Sequence, residues 1–262
     1  IVFGDWSSDV CSSDLADKIP PFMILSSRLI AQIAERNALP SDKKVLIFSS
    51  LLELNSTQFF VRSAATIEDE LGYPTAGLFT SYGNVSDLHL ESTILKCIRE
   101  AQNPKIKTIL GSYPPLCIFI QAQINAMKSG ILFTKDPVGN DVSQIIIEAG
   151  FGMGEGVVRG QYPVDQYRVK KPGVIFKKKE DIDENSIQYF VPQKTHYIET
   201  QGGEIKPLSL EQQSIPVLST QEIQALYSIS SQIEQLYNAP IDIEWAFDSN
   251  HALWILQLRD VQ

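Results

Sequence analysis

The chain has 262 residues, 44% apolar and 20% charged, enough to bury one large core or two lobes that share a cleft. Its 22 Lys and Arg against 31 Asp and Glu give a formal charge of −9, which argues against broad binding to nucleic acid or anionic membranes. Cys11, Cys97 and Cys117 are too few and too irregularly spaced for a disulfide framework or a zinc site, and polar residues interrupt the most apolar stretch, so a cytoplasmic protein with no membrane span is expected.

Residues 5–15, DWSSDVCSSDL, show no apolar periodicity and resemble a sequencing adapter translated in one frame, so they are set aside as non-native. The natural chain is expected to continue from about Ala16, and leaving out Asp5, Asp9 and Asp14 moves the charge from −9 to −6. From Ser26 to Ala38, Leu29, Ile30, Ile33 and Ala34 fall at helical spacing. Gln58 to Arg62 is a short aromatic and β-branched run that reads as a strand feeding a long loop. Ser86 to Asn103 reads as a capped helix with Leu88, Leu90, Ile94, Leu95 and Ile98 on one side and Cys97 on or beside its buried face. Strands are expected at Leu116–Ile124, Ser129–Thr134 and Gln144–Glu148, with a turn at Asp136–Asp141. The polar stretch from Lys170 to about Pro216 reads as a surface excursion of short hairpins. Ser219-Thr-Gln-Glu222 is a capping box opening a helix with Ile223, Leu226, Tyr227, Ile233 and Leu236 in one stripe.

The C-terminal hairpin carries the sharpest chemistry. Alternation puts Ile241, Ile243, Trp245 and Phe247 on one face, opposite Trp254, Leu256 and Leu258 of the returning strand. Asp242, Glu244, Gln257 and Arg259 then cluster on the other. Such a cluster is either a solvated face with weak cross-strand ion pairs or a magnesium and triphosphate site. In the second reading the oxygen donors hold the metal and the guanidinium forks onto phosphate. The glycines of Gly150-Phe-Gly-Met-Gly-Glu-Gly156 would let amides approach an anion, or would mark a bulge or an irregular turn. Thr75-Ala-Gly77 is a phosphate-covering loop or a plain turn. His89, His196 and His251 form no triad with a nucleophile.

Taken together, Val61-Arg-Ser-Ala-Ala-Thr-Ile-Glu-Asp69, Ala76-Gly77 with Asn84-Val85, Gly130-Ile-Leu-Phe-Thr-Lys-Asp-Pro137, Ile147-Glu-Ala149 with Gly152-Met-Gly-Glu155, Asp242-Ile-Glu-Trp245 and Leu256-Gln-Leu-Arg259 resemble the ATP-binding domain of phosphoenolpyruvate synthase and pyruvate phosphate dikinase. The resemblance covers about Lys18 to Asp260. It implies an α+β ATP-grasp fold in which two lobes, about 16–115 and 116–262, clamp ATP between sheets, with Mg²⁺ bridging the phosphates. By the same resemblance Arg62 is a phosphate-binding arginine, Thr75, Ala76 and Gly77 form the phosphate loop, and Gln121 and Gln123 lie near the adenine. Glu244 and Gln257, with Asp242, take the metal-binding places, and Arg62, Asp242, Glu244 and Arg259 make up the catalytic set.

Family enzymes pass a phosphoryl or pyrophosphoryl group from ATP to a histidine on a separate swivelling domain, which delivers it to pyruvate or another small acceptor. The resemblance therefore implies ATP and Mg²⁺ as cofactors and a phosphohistidine domain as partner, outside the 262 residues. The chain departs from the family pattern in three places. The family's glycine-flanked lysine would fall in the adapter-like stretch, Leu78-Phe79 replaces a glutamine pair, and the chain ends at Gln262 before any phosphohistidine segment. Rifampicin phosphotransferase-like and glucan, water dikinase-like enzymes use a similar domain. A stand-alone module that binds ATP without phosphotransfer, and a carboxylate–amine ligase, are the other readings.

Overall fold

The computed structural model describes residues 2–3, 13–65, 79–171 and 186–260. The segment set aside at residues 5–15 lies mostly outside them. The protein is α+β, as expected, and divides into two compact units, residues 1–16 with 20–123 and residues 17–19 with 124–262.

The first unit contains β1 (Val2–Phe3), α1 (Ser13–Ala16), β2 (Phe22–Leu25), α2 (Ser27–Arg36), α3 (Ser41–Glu53), β3 (Phe59–Ala65), β4 (Ser81–Val85), α4 (Asp87–Ala101), α5 (Pro104–Leu110) and β5 (Leu116–Ala122). Its antiparallel sheet runs β1-β2-β5-β3-β4. Strict alternation in β3 and β5 sends Phe59, Val61, Ile118 and Ile120 into a core closed by Ile33, Leu90, Ile94 and Cys97 from α2 and α4. Because β5 pairs with β2 and β3, the division between the units falls after Gln123, later than the expected break near residue 115. Cys97 is fully buried and burial pushes its thiol up to about 12, as suits a core residue rather than a nucleophile. Leu88, expected on the buried stripe of α4, is 86% exposed in the helix's first turn.

The second unit contains β6 (Ala126–Phe133), β7 (Gln144–Phe151), α6 (Glu155–Val158), β8 (Asp165–Lys170), β9 (Ile187–Phe190), β10 (His196–Ile198), β11 (Ile205–Pro207), α7 (Thr220–Tyr237), β12 (Ile241–Asp248) and β13 (Leu253–Asp260). Its main sheet is antiparallel, in the order β13-β12-β6-β7-β8-β9, and β10 and β11 form a separate hairpin. The capping box of α7 forms in both directions, with the Ser219 hydroxyl accepting from the Glu222 amide and the Glu222 carboxylate accepting from the Ser219 amide. Ile223, Leu226, Ile229 and Ile233 bury its inner face, whereas Leu236 is 47% exposed, near the asparagine at 238 (φ 53) that ends the helix in the left-handed region.

Two expectations for this unit need correction. The polar excursion does contain a hairpin, but it also carries a fully buried cation. Lys194 Nζ lies 2.6 Å from Asp165 Oδ1, and Asp165 Oδ2 accepts from the Val217 amide at 2.6 Å and from the Tyr167 hydroxyl at 3.0 Å. In the C-terminal hairpin a bulge between Glu244 and Trp245 shifts the pairing, so Trp245 faces Ile255 and Phe247 faces Leu253. Leu253 and Ile255 are therefore the buried residues of β13, in place of Trp254 and Leu256.

Candidate functional site

Alternation along β12 fixes the site. Ile241, Ile243 and Trp245 are fully buried on the side where α7 packs, so Asp242 and Glu244 point to the opposite side of the sheet. The bulge begins only after Glu244, which leaves the expected register intact over the polar residues: Asp242 pairs with Arg259 and Glu244 with Gln257. Arg259 Nε donates to Asp242 Oδ1 at 3.2 Å and its Nη2 donates to Glu244 Oε1 at 3.3 Å. One guanidinium thus spans two carboxylates. Burial raises the Asp242 carboxyl above its ordinary value; the Arg259 charge works against that rise and the Glu244 charge adds to it.

The register across the sheet extends this face beyond the residues picked from the sequence. Gln257, Glu244, Ile131, Glu148 and Gln166 form one row, and Arg259, Asp242, Phe133, Ile146 and Arg168 form the next. Glu148, Gln166 and Arg168 therefore share the face of the Glu244 cluster. Gln166 Nε2 donates to Glu148 Oε1 at 3.4 Å, and Arg168 Nη1 donates to Asp136 Oδ2 at 2.9 Å. β8 buries Asp165, Tyr167 and Val169, and its pairing with β7 turns Gln166 and Arg168 to this face.

Among the described residues no group of three or more His, Cys, Asp and Glu is gathered as a metal site. The donors at the Glu244 cluster are two carboxylates and one amide oxygen. That hard, all-oxygen set fits Mg²⁺, which commonly takes one or two protein carboxylates and completes its shell with substrate phosphates and water.

In the first unit, register places Arg62 and Gln121 on the sheet face away from the core. Gln121 sits in the row of Phe60 and Phe22, and Arg62 in the row of Phe119 and Ile24. The Arg62 guanidinium lies 4.7 Å from the centre of the Phe60 ring, and the Phe22 and Phe119 rings stack at 6.2 Å. Gln123 follows β5, with its side-chain amide bonded to Asn84. Thr75, Ala76 and Gly77 lie outside the described residues. The structure thus brings Asp242, Glu244, Gln257 and Arg259 together in one unit, and Arg62 and Gln121 in the other.

Several motif residues turn out to serve the fold. Thr134 Oγ1 accepts from the Ile241 amide at 2.9 Å, locking β6 to β12. Asp136 accepts from the Val138 and Gly139 amides and so closes the turn after β6; those amides, with Arg168, hold its carboxyl below the usual range. Of the alternating glycines, Gly152 (φ 73) bridges to Ile198, and a Cβ on Gly156 would overlap the Tyr162 ring. Gly152 and Gly156 thus serve packing.

Residues 23–262 match the family described as pyruvate phosphate dikinase, AMP/ATP-binding domain. A protein of Methanocaldococcus jannaschii named "Probable phosphoenolpyruvate synthase" is 28% identical over 251 residues, which cover 90% of this chain and 20% of that protein. The rifampicin phosphotransferase of Bacillus subtilis is 29% identical over 248 residues, covering 90% of this chain and 27% of that protein. The chain thus spans about a quarter or less of the length of these relatives. Among solved structures, the VanG D-Ala:D-Ser ligase of Enterococcus faecalis overlaps 95% of this chain and 49% of its own, at 6% identity and a TM-score of 0.42.

Proposed function

The chain belongs to the pyruvate phosphate dikinase AMP/ATP-binding domain family, and we propose that it binds Mg²⁺-ATP and supplies the phosphoryl-donating half of a phosphoenolpyruvate synthase-like dikinase. The observation that carries this reading is the bridging of Asp242 and Glu244 by Arg259, with Gln257 paired to Glu244. A phosphoryl-transfer site needs no protein nucleophile of its own. It needs charge neutralisation and in-line positioning.

In this reading Glu244, Gln257 and Asp242 hold the metal. Bound there, Mg²⁺ would neutralise charge on the phosphates. Arg259, whose guanidinium spans the two carboxylates, would fork onto phosphate oxygens, and Arg62 of the first unit would be a second phosphate contact. Gln121 and Gln123 contact the adenine, and Thr75, Ala76 and Gly77 cover the phosphates. The phosphate passes to a histidine of a phosphohistidine domain elsewhere in a longer polypeptide, and from there to pyruvate or another small acceptor. The M. jannaschii relative's name supports pyruvate chemistry, while the B. subtilis relative's name makes rifampicin-type acceptors the competing case. A cytoplasmic location fits this substrate set.

Calorimetric titration of the 262-residue chain with ATP, with and without Mg²⁺, tests the reading. Saturable binding that requires Mg²⁺ is expected. An absence of binding at millimolar ATP with Mg²⁺ would overturn it.

A further inference from the structure

The strand that carries Asp242 and Glu244 begins abruptly. α7 ends at Tyr237, and Pro240 has no N–H, so the Ile241 amide is the first donor that β12 can offer. That amide donates to Thr134 Oγ1 at 2.9 Å, and the Ile241 carbonyl accepts from the Thr134 amide at 2.9 Å. β6 has already ended, at Phe133. In a regular antiparallel pair a backbone carbonyl would take the Ile241 amide; here the hydroxyl of a fully buried threonine stands in for it.

This clamp bears on Asp242 more than on Glu244. Backbone groups alternate in direction along a strand, so Ile241 and Ile243 turn theirs towards β6, while Asp242 and Glu244 turn theirs towards β13. Asp242 and Phe133 are therefore a non-hydrogen-bonded pair, and on the β6 side Asp242 is held through its neighbours, by Ile241–Thr134 and Ile243–Leu132. Glu244 lies further into the sheet, between Ile243 and Trp245, which pair with Leu132 and Gly130. Removing the Thr134 hydroxyl takes away one of the two bonds of the outer anchor of Asp242 and leaves both anchors of Glu244.

We propose that Thr134 is a positioning residue for the metal site: its hydroxyl holds the start of β12 so that the Asp242 carboxylate stays beside Glu244 and Gln257. The inference rests on the reading that Asp242 helps to hold Mg²⁺. Thr134 touches neither metal nor nucleotide in this account and acts through Asp242.

The test uses the 262-residue chain and reads the ratio of its ATP affinities with Mg²⁺ and with EDTA. Thr134→Val matches the threonine in shape and removes the acceptor, so this ratio should fall roughly 3- to 10-fold, the range of one neutral hydrogen bond, while the affinity in EDTA stays within about 2-fold of the parent. Thr134→Ser keeps the hydroxyl and should restore the ratio to within about 2-fold. Asp242→Asn should lower the ratio by itself, and adding Thr134→Val to it should lower it no further, because the two changes act through one carboxylate.

An unchanged ratio in Thr134→Val would overturn the proposal. So would an equal loss from Thr134→Val in the parent and in Asp242→Asn, which would mark a general structural effect, or a Thr134→Ser that behaves like the valine variant. If Thr134→Val does not fold, Thr134→Cys takes its place, since a thiol is a weak acceptor, and equal ratios in the cysteine and serine variants would overturn the proposal. A parent that binds ATP without responding to Mg²⁺, or an Asp242→Asn variant with the parent's ratio, would instead overturn the metal reading of Asp242, and this inference with it.

Discussion

Trp245 fills the space that a side chain at Gly130 would need. A Cβ there would come within 2.6 Å of Trp245 Cζ2 and overlap the Glu148 carbonyl oxygen on the neighbouring strand. Trp245 is fully buried, and its inward placement is what sends the adjacent Glu244 to the opposite face of the sheet. Packing under Gly130 and the carboxylate of Glu244 therefore lie on the two sides of one strand.

Gly130→Ala should accordingly destabilise the second unit by several kcal/mol, because both obstacles belong to packed elements of the sheet. Denaturant midpoints would show the loss. A midpoint equal to the parent's would mean that β6 and β12 shift apart with little cost.

Much of this was legible in the sequence. The hairpin's alternation gave the polar cluster Asp242, Glu244, Gln257 and Arg259 correctly, because the bulge begins one residue beyond Glu244. The same bulge was invisible to a period-two reading, so the buried residues of β13 were misassigned. Glu148, Gln166 and Arg168 joined the face only through pairing between strands distant in sequence, which no local pattern carries. The helix α3, with Val45 and Leu52 73% and 82% exposed, has no clean apolar stripe and gave no signal. Lys194 was read as part of a solvated stretch, since nothing local marks a lysine whose partner lies in β8.

That buried pair makes a second prediction. Lys194→Met leaves the Asp165 charge without its cation and should cost about 3–5 kcal/mol. Asp165→Asn should cost at least as much, because it also weakens the acceptor for the Val217 amide and the Tyr167 hydroxyl. Urea denaturation of the two variants and the double variant measures this. A double variant no more stable than the sum of the single losses would contradict the account, which expects the neutral pair to recover part of the cost.

Glu222 ties the start of α7 to β6. Burial alone would raise its carboxyl, but Lys128 Nζ donates to both its oxygens at 2.8 and 2.7 Å and the Ser219 amide adds a third bond, so the net shift is downward. A carboxyl whose folded pKa lies below its unfolded value stabilises the fold above the unfolded pKa, about 4.3, and loses that contribution as pH falls through the folded value. Glu222→Gln should be less stable than the parent at pH 7 and should lose less on going to pH 3. Equal losses for parent and variant over that range would show that Glu222 does not contribute to acid sensitivity.

Arg259 should separate phosphate binding from metal binding. Arg259→Ala removes a charge-assisted fork, so tripolyphosphate in Mg²⁺ should bind roughly 10- to 100-fold more weakly, whereas Mg²⁺ alone should bind no worse because the two carboxylates keep their charge. Arg259→Lys, with charge but no fork, should fall between. In a phosphotransfer assay on the longer polypeptide, Arg62→Ala and Arg259→Ala should each lower turnover by about 10²–10³-fold, the cost of one preorganised transition-state donor. Unchanged turnover in both would remove the two arginines from the catalytic set.

The most direct measurement of the central claim is the Mg²⁺ dependence of ATP binding in Glu244→Ala compared with the parent chain. Glu244 is half-buried, with 17% of its side chain exposed, and lies outside the packed side of β12, so the variant should keep its fold and far-UV spectrum. The account predicts that the parent's affinity for ATP rises steeply with Mg²⁺ and that this rise falls at least about tenfold in the variant, the loss of a charged metal contact. An identical Mg²⁺ dependence in the two proteins would contradict the placement of the metal at the Asp242, Glu244 and Gln257 cluster.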